Sequence, residues 1–188
     1  MTTGIIILIV VAVIVIYVIS IYNTMVKLKI RRENAFADID VQLKQRHDLI
    51  PQLVSTVKGY MQHEEGVLTK VTQARTQAMS ATGIDAKIAA EQQLSTALSG
   101  LRIQIEAYPD LKANTNFMHL QGEISDVENK LAAVRRFFNS ATKELNTAIQ
   151  VFPNVIFAGI FGFKSAAMFD LGEEDRATMD KAPDISFK

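Results

Sequence analysis

The sequence predicts an all-α protein, with an N-terminal transmembrane helix followed by an elongated antiparallel bundle of long helices. Three observations carry this. An uninterrupted apolar run, IIILIVVAVIVIYVISIY, occupies residues 5–22. Behind it, three stretches repeat apolar residues at alternating intervals of three and four, the pattern of a helix buried along one stripe. Punctuation is sparse, with four prolines and nine glycines in 188 residues, which leaves room for long helices and creates little need for turns.

The apolar run contains no charge, and a helix of its length rises about 27 Å, close to the ~30 Å hydrocarbon core of a bilayer. In water its β-branched excess would suit a buried strand. In lipid the backbone must satisfy its own hydrogen bonds, which selects the helix. Tyr17 and Tyr22 stand toward its distal end, where amphipathic rings favour the membrane interface. A cleaved signal peptide fits poorly: no lysine or arginine precedes the run and no small-x-small site follows it. Lys27, Lys29, Arg31 and Arg32 follow closely. The positive-inside rule then places the helical body in the cytoplasm and the N-terminus outside, as a single-pass protein of the inner (cytoplasmic) membrane.

The first stripe runs Phe36, Ile39, Leu43, Arg46, Ile50, Leu53, Val57 and Tyr60. It is an a/d seam with one polar break, at Arg46. It continues less strictly through Val67, Val71, Ala74 and Ala78, with Gly59 and Gly66 as points of interruption. The second runs from Ile84 through Ile88, Glu91, Leu94 or Ser95, Leu98, Leu101 and Ile105 to Tyr108, where Pro109 stops it. The third is the cleanest, from Phe117 through Leu131 and Phe138 to Phe152, ended by Pro153. Short connections near 80–84 and 109–115 make neighbouring helices antiparallel. The expected organisation is an anchor at 1–23, a bundle at 24–153, an apolar segment at 154–170 and a polar tail at 171–188. The segment 154–163, NVIFAGIFGF, is too short to span. It either closes the bundle core, the preferred reading, or lies at the membrane surface; it lacks the basic face of an interfacial helix.

Composition and motif content narrow the function. Lysine plus arginine equals aspartate plus glutamate at 20 each, so there is no basic excess to neutralise nucleic-acid phosphates. The absence of cysteine excludes disulfides, iron–sulfur clusters, thiolate zinc sites and a cysteine nucleophile. The segment RHDLIP, residues 46–51, reads as a joint rather than a reactive site. Pro51 removes a backbone hydrogen bond to the carbonyl of His47 and kinks a continuous helix, or Asp48 caps a helix that restarts. His47 and Asp48 are adjacent, so they point about 100° apart and make no ordinary base–orienter pair. Arg46 in the seam is a register-setting residue that needs a carboxylate partner. His63 with Glu64 and Glu65 lacks the second histidine of HExxH, and His119 stands far away in sequence. Arg135 and Arg136 beside Phe137 and Phe138 read as a salt-bridged face. No phosphate-binding glycine loop and no GxSxG turn occur. No catalytic, cofactor-binding or metal-binding residue is therefore assigned, and no enzyme activity or cofactor is expected.

Tyr22 and Asn23, then ENAFADIDVQLKQRHDLIPQLVSTVKGYMQHE from Glu33 to Glu64, then AYPDLKANTNFMHLQGEISDVENKLAAVRRFFN from Ala107 to Asn139, and finally Pro153 with Gly162 and Phe163, resemble the LemA family of bacterial membrane proteins. The resemblance implies an N-terminal membrane helix with a very short outside tail and a body of long antiparallel helices. It supplies no catalytic residues. Members are often encoded near membrane proteases or membrane-stress proteins, and one branch takes part in forming magnetosome membranes. Within these blocks, Pro109 and Asp110 form a turn, and Lys112 and Asn114 satisfy carbonyls and cap the next helix. Asp38 and Asp40 are set against Arg135 or Arg136. The expected function is a non-enzymatic, self-associating helical scaffold or membrane-organising protein, with the lipid bilayer and further copies of itself as partners. The alternative is an adaptor that presents a helical surface to a membrane protease or another membrane partner.

Overall fold

The computed structural model describes residues 2–61 and 64–169. The expected polar tail and His63 lie outside them. Six helices and no strand occur among the described residues: α1 Thr2–Lys58, α2 Glu65–Ser80, α3 Ile84–Ile105, α4 Pro109–Lys112, α5 Thr115–Gln150 and α6 Asn154–Ile160. The chain is all-α, as the periodicity predicts. It divides into two compact units, to both of which α1 and α5 contribute.

One unit holds residues 38–136 with Phe169. Here α2 and α3 pack against the second half of α1 and the first half of α5. The pairing of side chains sets the directions. Arg75 on α2 reaches the carbonyl of His47, and Lys87 on α3 reaches Asp40. Tyr60, just past the end of α1, meets Asn114 at the start of α5, so each long helix runs antiparallel to the one before it. The core gathers Ile50, Leu53, Val57, Met61, Leu68, Val71, Leu94, Leu101, Leu111 and Phe117. The heptad seams therefore close within one chain.

Two positions depart from the expected first stripe. Tyr60 is exposed, and Met61 is fully buried in its place. Val67 is half-buried, whereas Leu68 enters the core. Both shifts flank one break: α1 ends at Lys58 and α2 starts anew at Glu65, so the positions beside it lose the register, which α2 resumes at Val71, Ala74 and Ala78. The break falls at the Gly59 connection and not at Pro51, which lies inside α1; Asp48 lies within the helix as well and does not start a new one.

The turn into α3 uses Gly83 at φ +85°, a left-handed conformation that costs a side-chain-bearing residue energy. Pro109 opens the one-turn helix α4 at its first position, where its missing N–H is no loss. Asn114 caps α5 as expected, its Oδ1 accepting from Phe117 N–H at 3.0 Å. Lys112 pairs with the Glu106 carboxylate rather than with helix carbonyls.

The other unit holds residues up to Ala37 and Phe137–Met168. The clean third stripe delivers Phe138, Ala141 and Leu145 to its interior. Phe138 is fully buried, with Phe36 edge-on at 5.6 Å and the Arg32 guanidinium 4.9 Å from its ring. Further along, Ile21 and Met25 of α1 pack with Leu145, Ile149 and Ala158. Phe152, expected in the stripe, is 80% exposed, because α5 ends at Gln150 and the helical register ends with it; Ile149 fills the inward position. α6 stops in a Schellman turn: Phe163 N–H donates to Ala158 O, Gly162 N–H donates to Gly159 O, and Gly162 takes φ +75°. This accounts for the glycine–phenylalanine pair at 162–163. Ala158, Phe157 and Phe163 pack inward, while Val155, Ile156 and Ile160 remain exposed.

Candidate functional site

The most concentrated chemistry among the described residues is a buried ion cluster in the unit of residues 38–136. Its members come from α1, α3 and α5. Its centre, Arg46 and Glu91, stands at heptad positions that would otherwise hold apolar residues. Arg46 is 3% exposed and Glu91 1% exposed, and neither is tolerable in an apolar core without a partner. Arg46 Nη1 donates to Glu91 Oε2 at 3.2 Å, and Nη2 donates to Ser95 Oγ at 3.0 Å. Its Nε lies 2.8 Å from Glu128 Oε1, an ion pair whose N–H is not aligned as a hydrogen bond. The other oxygen of Glu91 lies 2.6 Å from His47 Nε2 and accepts its hydrogen bond. One carboxylate thus bridges an arginine and an imidazole.

Arg135 stands at the edge of the cluster, its guanidinium 5.0 Å from the Phe169 ring. Burial pushes its pKa below the ordinary arginine range, and the like charge of Arg46 pushes the same way; Glu128 and Glu91 oppose them. The expectation that Asp38 or Asp40 would meet Arg135 or Arg136 is not met for Asp40, which pairs with Lys87 at 2.7 Å.

RHDLIP follows the first of the two alternatives, a continuous helix with one backbone hydrogen bond lost at Pro51. The helix runs on through Pro51, and a proline there cannot donate to the carbonyl of His47. Arg75 of α2 supplies the missing donor, its Nε reaching His47 O at 2.7 Å. The proline thus frees an acceptor that ties α2 to α1. The side chains of His47 and Asp48 diverge as a helix requires, His47 buried and Asp48 exposed.

An open cleft of about 490 Å³ lies beside the cluster, lined by residues that include Asp40, Lys44, His47, Asp48, Lys87 and Glu91. A second groove of about 450 Å³ runs between α2 and α3, lined by Gln73, Gln77, Gln93 and Gln104 among others. His119 is surface-exposed and 3.7 Å from Glu123. No group of three or more histidine, aspartate or glutamate side chains placed to hold a metal occurs among the described residues.

Sequence reasoning singled out Arg46 and its need for a carboxylate, and put Glu91 in the second stripe. It did not pair them. The available signal was that each of two apolar seams has a single charged break of opposite sign. Arg75 carried no signal, since a capture of a backbone carbonyl by a neighbouring helix leaves no trace in periodicity.

These features define a class: an all-helical body locked by a buried ion cluster, following an apolar helix long enough to cross a bilayer. Within that class, the model of the LemA family matches residues 35–187, and the chain belongs to the LemA family. It is 27% identical over 150 residues to Protein LemA of Metamycoplasma hominis, covering 79% of this chain and 68% of that protein. It is also 23% identical over 174 residues to Magnetosome proteins MamQ 1 and MamQ 2 of Paramagnetospirillum magneticum. Those matches cover 79% of this chain and 64% of each relative; the chain therefore spans about two thirds of the length of these relatives.

Proposed function

We propose that this chain is a non-enzymatic, single-pass membrane protein whose helical body self-associates as a scaffold that organises the surrounding membrane. The observation that carries the membrane reading is the bare start of α1. Ile5, Leu8, Val11, Ile14, Ile16 and Ile19 are each more than half exposed. Leaving one such side chain in water forfeits roughly 1.5–3 kcal/mol, so a continuous bare run calls for lipid. The basic residues that follow support an inner-membrane placement with the body in the cytoplasm. The likeness to magnetosome proteins supports a membrane-organising role by analogy. The ion cluster is read as a structural lock: its central carboxylate has both oxygens committed to donors, leaving no free base opposite a nucleophile.

Because the a/d seams are consumed inside each chain, contacts between copies run through the bare helix or the body surface. The test is the mass of the full-length protein in lipid nanodiscs, by mass photometry over a range of protein-to-lipid ratios. Discrete multimers are expected. A strict monomer at every ratio removes self-association from the proposal.

The two open grooves favour a second reading, an adaptor that holds a segment of another membrane protein. Crosslinking from positions in the α2–α3 groove, such as Gln93, would then recover a second polypeptide, and only self-contacts would count against it.

A further inference from the structure

The α5–α6 corner leaves an apolar face bare: Val155, Ile156 and Ile160 are exposed there, together with Phe152. We propose that this face is embedded in the bilayer interface beside the membrane-spanning helix, as a second, non-spanning contact with lipid. The proposal rests on the reading of residues 5–22 as a span and extends it.

Its position argues for lipid as the occupant. The apolar run of α1 is bare for most of its length, and its first buried residues are Ile21 and Met25. The groups covering them are those of α5 and α6, Leu145, Ile149 and Ala158. Lys27 is the first charged side chain after the apolar run, about 9 Å beyond Ile21 along the helix axis. The α5–α6 corner therefore sits at the level where the span ends.

Ring contacts fix the same depth. Tyr22 meets Phe161 edge-on at 5.0 Å and Phe163 at 6.0 Å. The tyrosine ring, apolar with a polar tip, favours the membrane–water boundary. Charge distribution agrees: residues 145–163 contain no charged side chain, and Lys164 follows at once. Both Lys27 and Lys164 are exposed, as headgroup-facing cations would be. α6 itself contains no basic residue. The basic flanks come from Lys27 and Lys164 instead, so the lack of a basic face within 154–163 does not stand against an interfacial position.

The protein has no cysteine, so single-cysteine variants of the full chain give clean probes. F152C, I156C and I160C would each be labelled with an environment-sensitive fluorophore and reconstituted in phosphatidylcholine vesicles with and without brominated acyl chains. I14C reports on the span, and M118C on an exposed apolar position of the helical body. Loss of fluorescence with brominated lipid at 156 and 160, with protection from aqueous iodide and an unprotected label at 118, supports the proposal. Labels at 156 and 160 open to iodide and blind to bromolipid overturn it. Protection from both quenchers also overturns it, because the face is then covered by protein, such as a second copy. If I14C too is blind to bromolipid, the span reading itself has failed, and the interfacial contact falls with it. Quenching at 14 but not at 156 or 160 sinks the interfacial contact alone.

Discussion

Glu91 is the residue on which the helical body turns, because its two oxygens hold groups from α1 at consecutive positions. Removing it leaves Arg46 buried beside an incomplete set of partners. Glu91→Ala should cost at most about 3–5 kcal/mol, the penalty for leaving a buried charge uncompensated, because Glu128 still stands beside Arg46. Arg46→Met combined with Glu91→Met should cost far less than Glu91→Ala alone, since both desolvated charges leave together. Urea denaturation of the single and double variants reads the difference.

Pro51 and Arg75 are coupled in the same way. Arg75→Met strands the carbonyl of His47 and should cost about 1–3 kcal/mol. In a Pro51→Ala background the same substitution should cost less, because the alanine N–H takes over the carbonyl. Equal costs in the two backgrounds would show that Arg75 does not compensate for the proline.

At the surface, Lys112 holds the Glu106 carboxyl below its ordinary value of 4.5, first by hydrogen bonding and then by its charge. A carboxyl with a lowered folded-state pKa adds stability above its unfolded value and loses it as the pH falls through the folded one. Lys112→Met should move the Glu106 titration up toward 4.5, followed by carboxyl carbon NMR. The melting temperature should change little, since the pair is exposed.

At the scale of elements, helices and their breaks follow different rules. Gly83 closes the α2–α3 turn at φ +85° with open space around it. Gly83→Ala should therefore destabilise by about 1–3 kcal/mol through backbone strain alone. Gly122 lies inside α5, exposed and with open space where a Cβ would stand. Gly122→Ala should stabilise by about 0.4–1 kcal/mol, because it restricts the unfolded chain at no steric cost. Thermal melts of the two variants should move in opposite directions. The third stripe was legible almost residue by residue, since α5 is uninterrupted and its helical register is carried along its whole length. The first stripe was legible to Val57 and again at Val71, Ala74 and Ala78. Between them the chain leaves the helix, and Met61 and Leu68 are chosen by how α2 docks rather than by counting sevens.

At the scale of the molecule, the assignment of one span and a cytoplasmic body predicts a labelling pattern. The M118C variant, with its reporter on α5, should resist a membrane-impermeant maleimide in intact spheroplasts and react once the membrane is opened. Reaction before opening would reverse the orientation.

The sequence by itself determined the all-α class, the long apolar N-terminal helix and the family, because these depend on composition, on period and on motifs that are local along the chain. It also marked Arg46 as a charge in need of a partner. Tertiary structure alone decided that Glu91 and Glu128 meet it, that His47 shares Glu91, that Arg75 answers the proline, and that the seams close within one chain. The α5–α6 corner with one face left bare was decided there too. Those outcomes depend on which helix faces are brought together across 28 residues or more, and periodicity along a single helix cannot specify the neighbour it will meet.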